Sequence, residues 1–152
     1  MSIETVVLAV GTEDEDRAEQ LAAETIAVAK PAGAEVVLTH VFSDEEFEEV
    51  RSRLRVDETS ESSTPDAVAE RHTTTRAISK ALAEAGVSHT VRGAVGDHAD
   101  EVVEAATEVG ADRIVVGGRS RSPTGKAVFG SVAQEIMLSA PCPVTFVRDI
   151  DD

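Results

Sequence analysis

The chain has 152 residues, 41% of them apolar, which suits one domain with a real core rather than a disordered segment. Its 29 acidic residues outweigh 14 basic ones for a formal charge of −15, so DNA, RNA and anionic lipid are repelled, and with aromatics at 3% there is little for stacking on single strands. One cysteine, Cys142, excludes an internal disulfide and a Cys-rich metal site.

In chain order, Ile3 to Val10 (IETVVLAV) reads as a strand covered on both faces. GTEDED follows, with Thr12 and Glu15 at capping-box spacing, then a helical stripe through Leu21, Thr25 and Ala29 to a stop at Pro31 and Gly33. Glu35 to Val41 is a second buried strand. Ser43 to Pro65 reads as an excursion: Phe47, Val50 and Leu54 could share a helix face, DEEFEEV is a solvated face rather than a metal site, and DETSESSTP is a mobile tip. Thr64-Pro65 then opens one helix running to Gly86.

Val87 to Val95 alternates as a third strand, and Gly96-Asp97 caps a helix that ends at Gly110. Arg113 to Gly117 is the fourth strand. Ser131 and Gln134 mark a capped helix, and Pro143 to Arg148 is the last strand, with Cys142 beside it as a small buried apolar residue. No internal repeat or linker interrupts this order. No apolar run reaches membrane-spanning length and the start lacks a signal peptide's basic flank, so a cytoplasmic protein is expected.

Alternating apolar strands and helices predict an α/β domain: a single open parallel five-stranded sheet with helices on both faces. Ligands of such sheets sit beyond the strand carboxyl ends, where strand order reverses. That singles out Gly11-Thr12, Val41-Phe42, Gly96-Asp97 and the stretch VVGGRSRSPTGKAVFGS (Val115 to Ser131).

This last stretch contains Gly125-Lys126, yet it is not a P-loop: Ser120 stands where the leading glycine is needed and Ala127 where the metal-binding hydroxyl is needed. From Ile114 through Gln134 there is no acidic residue, where the chain average would place about four. Arg119, Arg121 and Lys126 cluster in that gap, ahead of a helix N-terminus whose outward amides and dipole favour an anion. The competing reading of Arg119 and Lys126 is ordinary surface charge; Thr12 and Ser131 are read first as caps, with a ligand role compatible. His40, His72, His89 and His98 show no metal-ligand spacing, and His89 is read as a satisfied core histidine. No nucleophile-base pair or carboxylate pair stands out, so no catalytic residue is assigned.

GGRS, nine residues from Arg121 to Phe129, and Gly130-Ser131, together with VVLAVG, VVLTHV, GADRIVVGG and PCPV, make the whole chain resemble the universal stress protein family. Its nucleotide-binding members carry glycine, two residues, glycine, nine residues, glycine and Ser or Thr after strand four. Gly117, Ser120, Gly130 and Ser131 fall on those positions. The resemblance implies a Rossmann-like, adenine nucleotide alpha hydrolase-like domain over residues 1–152, with a variable excursion at about 43–64.

It further implies a stress-response homodimer joined through the last strand, Val144 to Val147, that binds ATP or a related adenine nucleotide, with or without Mg2+. Gly117, Gly118, Ser120, Gly130 and Ser131 would hold phosphates, Arg119 and Lys126 would add charge, Val41 would meet the base, and Gly11-Thr12 would border the site. Any hydrolysis would be slow and partner-dependent. Two departures stand out: Ser120 replaces the second motif glycine, and Gly11 stands where the family often has a nucleotide-contacting Asp. The alternative is a nucleotide-free dimeric interaction module of the same family.

Only three of the 14 basic residues are lysines, a surface suited to a salt-rich cytoplasm, where carboxylates hold water and ions well. The urea midpoint is accordingly expected to rise between low and multimolar salt; equal midpoints would remove the halophilic reading.

Overall fold

A computed structural model describes residues 3–53, 64–118 and 130–148. Five strands, β1 (Thr5–Val10), β2 (Glu35–Phe42), β3 (His89–Val95), β4 (Arg113–Gly118) and β5 (Val144–Arg148), form one parallel sheet in the order β3-β2-β1-β4-β5. The helices are α1 (Ala18–Ala32), α2 (Asp44–Arg53), α3 (Pro65–Arg71), α4 (Thr73–Glu84), α5 (His98–Val109) and α6 (Ser131–Ser139), and a 3₁₀ turn at Thr12–Arg17 precedes α1. The expected open α/β sheet is thus observed.

Its layers follow from strand alternation. Val6, Leu8 and Val10 of β1, with Val36 and Leu38 of β2, pack on Leu21 of α1 and on Ile78 and Leu82 of α4. The residues between them, Val7, Ala9, Val37 and Val41, pack with Ala99, Val102 and Ala106 of α5 and Ile136 of α6. β1 is central, and Val6, Val7 and Leu8 are wholly buried, as its unbroken apolar run requires. Asp112 ties the base of the sheet by accepting the Glu4 and Thr5 amides at 2.8 and 3.1 Å.

Several local readings hold. Gly33 and Gly110 end α1 and α5 in the left-handed region, with φ of 65° and 63°. Pro31, however, lies inside the last turn of α1 rather than beyond it. Asp97 caps α5 by accepting from Asp100 N–H, and Thr64 caps α3 by accepting from Ala67 N–H. α2 carries Phe47 and buried Val50; Leu54 and most of the DETSESSTP stretch lie outside the described residues.

Others are corrected. The single helix expected from Thr64 to Gly86 is two, α3 and α4, broken at His72, which is extended (φ −70°, ψ 138°) and caps α4 by accepting from Thr74 N–H. The two parts have different partners. α3 lies over β3, where a Cβ on Gly93 would stand 1.9 Å from the Pro65 carbonyl oxygen, and Gly93 N–H donates to Asp66 at 2.7 Å. α4 instead packs on α1, so the chain must turn between them. Of the histidines, His89 is half-buried, with Ser79 Oγ 2.6 Å and the Val87 carbonyl 3.3 Å from its ring nitrogens. The core histidine is His40, fully buried, stacked on Phe42 with ring centroids 4.2 Å apart and tilted against His72 at 4.5 Å. Cys142 is half-buried rather than buried, and loss of solvent raises its thiol pKa.

Among the described residues neither ring nitrogen of His40 has a hydrogen-bond partner, and burial together with neighbouring His72 lowers its pKa to about 3. The unfolded chain takes up below pH 6.5 a proton that the folded chain refuses, so this ring lowers stability as pH falls from 6.5 toward 3. Between pH 7 and pH 5 the loss is expected to be about 2 kcal/mol by proton linkage. Urea melts at the two pH values check this against His40→Leu, which should flatten the difference; an unchanged difference would place the acid sensitivity elsewhere.

Candidate functional site

β1 is followed by α1 on one face, and β4 by α6 on the other, so the chain leaves the neighbouring carboxyl ends of β1 and β4 in opposite directions. The gap is a cleft of about 720 Å³, within the usual range for small-molecule sites. Gly11, Thr12, Val41, Gly117, Gly118, Gly130 and Ser131, seven of the residues singled out from sequence, line it together. Arg119, Ser120, Arg121 and Lys126 lie outside the described residues.

Both caps expected at the cleft fall one residue earlier, on a glycine. The 3₁₀ turn begins after Gly11, and Asp14 rather than Glu15 closes it: its carboxylate accepts Gly11 N–H at 2.7 Å while Asp14 N–H donates to the Gly11 carbonyl. Thr12 is therefore not the cap, because a carboxylate inside the turn already holds the cap amide; its hydroxyl donates to Glu46 at 2.7 Å. At α6 the cap is Gly130 (φ −63°, ψ 154°), and Ser131 is the first helical residue. With glycine at the cap, no side chain there accepts from the first-turn amides of α6.

Glu46 was read from sequence only as part of a solvated face, but it joins three loops above the strand ends. One carboxylate oxygen accepts Thr12 Oγ1–H; the other lies 2.7 Å from Ser43 N and 2.9 Å from His98 Nε2. Burial pushes its pKa up, yet the Ser43 amide, the Thr12 hydroxyl and His98 outweigh that and hold it below the usual value. No short-range spacing signals this contact, since Glu46 and His98 are 52 residues apart.

Asp14 and Arg17 were also missed. They form an ion pair on the cleft wall, with Asp14 8% exposed, and loss of solvent raises the Asp14 pKa despite Gly11 N–H and Arg17. The i, i+3 spacing could have suggested the pair, but not its burial. Among the described residues, no group of three His, Cys, Asp or Glu side chains is placed to hold a metal, and no helix is long and apolar enough to cross a membrane.

Fold and cleft define an open parallel α/β domain with a ligand-sized cleft at its strand-order reversal. The chain belongs to the universal stress protein family, whose sequence pattern matches residues 2–148. It is similar to a universal stress protein of Mycolicibacterium smegmatis, at 40% identity over 68 residues, which are 44% of this chain and 52% of that protein; the match thus spans about half of the curated relative's length.

Among solved structures, it resembles a universal stress protein from Archaeoglobus fulgidus at 25% identity, with a TM-score of 0.67 and coverage of 97% of this chain and 100% of that one. A structure of the A. fulgidus universal stress protein with dAMP matches at 23% identity and TM-score 0.62, over 97% and 100% of the two chains. Other structures of this fold are universal stress proteins in complex with cAMP and, from Arabidopsis thaliana, with AMP.

The glycines at the cleft carry different constraints. A Cβ on Gly117 would stand 2.8 Å from Arg17 Cδ and 3.1 Å from Leu21 Cδ2, whereas one on Gly11 would meet nothing closer than 3.8 Å, on extended backbone. Gly117→Ala should destabilise by about 1–3 kcal/mol through overpacking, and Gly11→Ala should stay within about 0.5 kcal/mol of wild type. Urea melts of both variants measure this, and equal midpoints would show that Arg17 yields freely.

Proposed function

We propose that this chain is a cytoplasmic stress-response protein that binds an adenine nucleotide, ATP or a relative, in the cleft at the β1/β4 crossover, in a binding rather than a catalytic role. The carrying observation is that Gly117, Gly118, Gly130 and Ser131 line one ligand-sized cleft, beside α6 amides that no cap side chain occupies. In this reading the base lies against the Val41 backbone near Gly11 and Thr12. The phosphates lie against the two glycine segments, and Ser120, Arg119 and Lys126 complete their binding. Mg2+, where the nucleotide brings it, neutralises phosphate charge. Relatives solved with dAMP, cAMP and AMP support the ligand class.

The molecule acts as a homodimer through β5 (Val144 to Val147). β5 ends the sheet and is mostly half-buried, with Val144, Thr145 and Phe146 partly exposed, an edge suited to pairing with a second copy. The other edge, β3, is shielded by α3.

One observation favours the second reading, a dimeric interaction module without nucleotide: Glu13, Asp14 and Asp16 line the same cleft and repel phosphate. Release of bound nucleotide on denaturing the purified protein, and calorimetric titration with AMP and with ATP in the presence and absence of Mg2+, separate the two. A Kd on the order of 10 μM is expected for a ligand of this size. Absence of both released nucleotide and heat at millimolar ligand would leave the module reading. Light scattering should give twice the 16.0 kDa chain mass; a monomer would remove the pairing through β5.

A further inference from the structure

Arg17 is the one residue with a permanent positive charge among the described lining of the cleft, which also includes Glu13, Asp14 and Asp16. Its place is closely determined. The side chains of Arg17 and Asp14 are 10% and 11% exposed. Arg17 Nη1 donates to Asp14 Oδ1 and to the Glu13 carbonyl, while the other carboxylate oxygen of Asp14 is held by Gly11 N–H at 2.7 Å. Gly117 leaves room for the stem: a Cβ there would stand 2.8 Å from Arg17 Cδ and 3.4 Å from Asp14 Oδ1. The pair thus bridges the end of β1 to the end of β4, at the glycine segment assigned above to phosphate.

A buried ion pair is weak as a device for stability, because both charges lose their water. It is better suited to presenting a charge in a fixed direction at a binding surface. Without Arg17, a phosphate entering this part of the cleft would meet the three carboxylates uncompensated. The planar guanidinium is the group that matches phosphate geometry best among protein cations.

We infer that Arg17 is a specificity residue that recognises the phosphate of the bound nucleotide, and that Asp14 is the positioning residue that aims it. This rests on the adenine-nucleotide reading above and extends it: the cleft distinguishes a nucleotide from its nucleoside through the 3₁₀ turn after β1, and not solely through the segment after β4.

The test is calorimetric titration of AMP and adenosine into wild type, Arg17→Gln, Arg17→Lys and Asp14→Asn. Arg17→Gln is expected to weaken AMP binding by about 10- to 100-fold, the range for a lost hydrogen bond to a charged group, while adenosine affinity changes less than about twofold. The AMP-over-adenosine preference should fall in the order wild type, Arg17→Lys, Arg17→Gln, with Asp14→Asn also below wild type. A merely structural clamp would lower both affinities together, so equal losses, or an unchanged preference, would overturn the inference and leave nucleotide binding intact. If Arg17→Gln shows no cooperative melt, Arg17→Lys, which retains the charge facing Asp14, decides by the same criterion. Wild type that binds neither ligand would remove both the adenine-nucleotide reading and this extension of it.

Discussion

A strand buried on both faces must have every amide paired within the sheet and every side chain packed, and β1 meets that demand between β2 and β4. The rest of the molecule is arranged around this requirement. Covering both faces needs helices on both sides. Right-handed parallel crossovers reach the two sides by running outward from β1 in opposite directions, through β2 and β3 on one hand and β4 and β5 on the other. The cleft at the carboxyl ends of β1 and β4 is the direct consequence.

The polar groups at that cleft are organised by carboxylates whose partners lie in the turns. Asp14 holds the Gly11 amide and Arg17, and Glu46 gathers Thr12, Ser43 and His98. Each is only partly exposed and satisfied by several donors, so the loops bearing the cleft-lining residues are fixed to one another as well as to the sheet. A protein of formal charge −15 therefore uses some of its acids as internal ties rather than as solvated surface. The same economy of space explains the glycines: Gly117 and Gly93 sit where Arg17 and the Pro65 carbonyl come closest, whereas Gly11 has room for a side chain.

The alternation of apolar strands and helical stripes made the sheet, its five strands and the location of its ligand end legible, because burial on two faces leaves an unbroken apolar run and a half-buried helix leaves a 3.6-residue stripe, both of which short windows record. Caps formed by one side chain and an amide three residues away were legible too, at Thr64 and Asp97. Thr12 and Ser131 misled because a glycine can take the cap position when another group, such as Asp14, supplies the hydrogen bond. The break at His72 was hidden because nothing in its neighbourhood demands a turn; the demand comes from α3 lying on β3 while α4 lies on α1.

Residue order alone thus determined the parallel α/β class, the helix stops at Gly33 and Gly110, and the glycine and hydroxyl positions that gather at one end of the sheet. These follow from local sterics and from apolar periodicity, both carried by neighbouring residues. Tertiary structure decided which charges enter the cleft and in what pairing: Asp14 with Arg17 across Gly117, and Glu46 with His98 across 52 residues. It also decided that His40, not His89, is the core histidine. Such outcomes depend on distances between separate turns and strands, and those distances exist only once the sheet has brought the segments together.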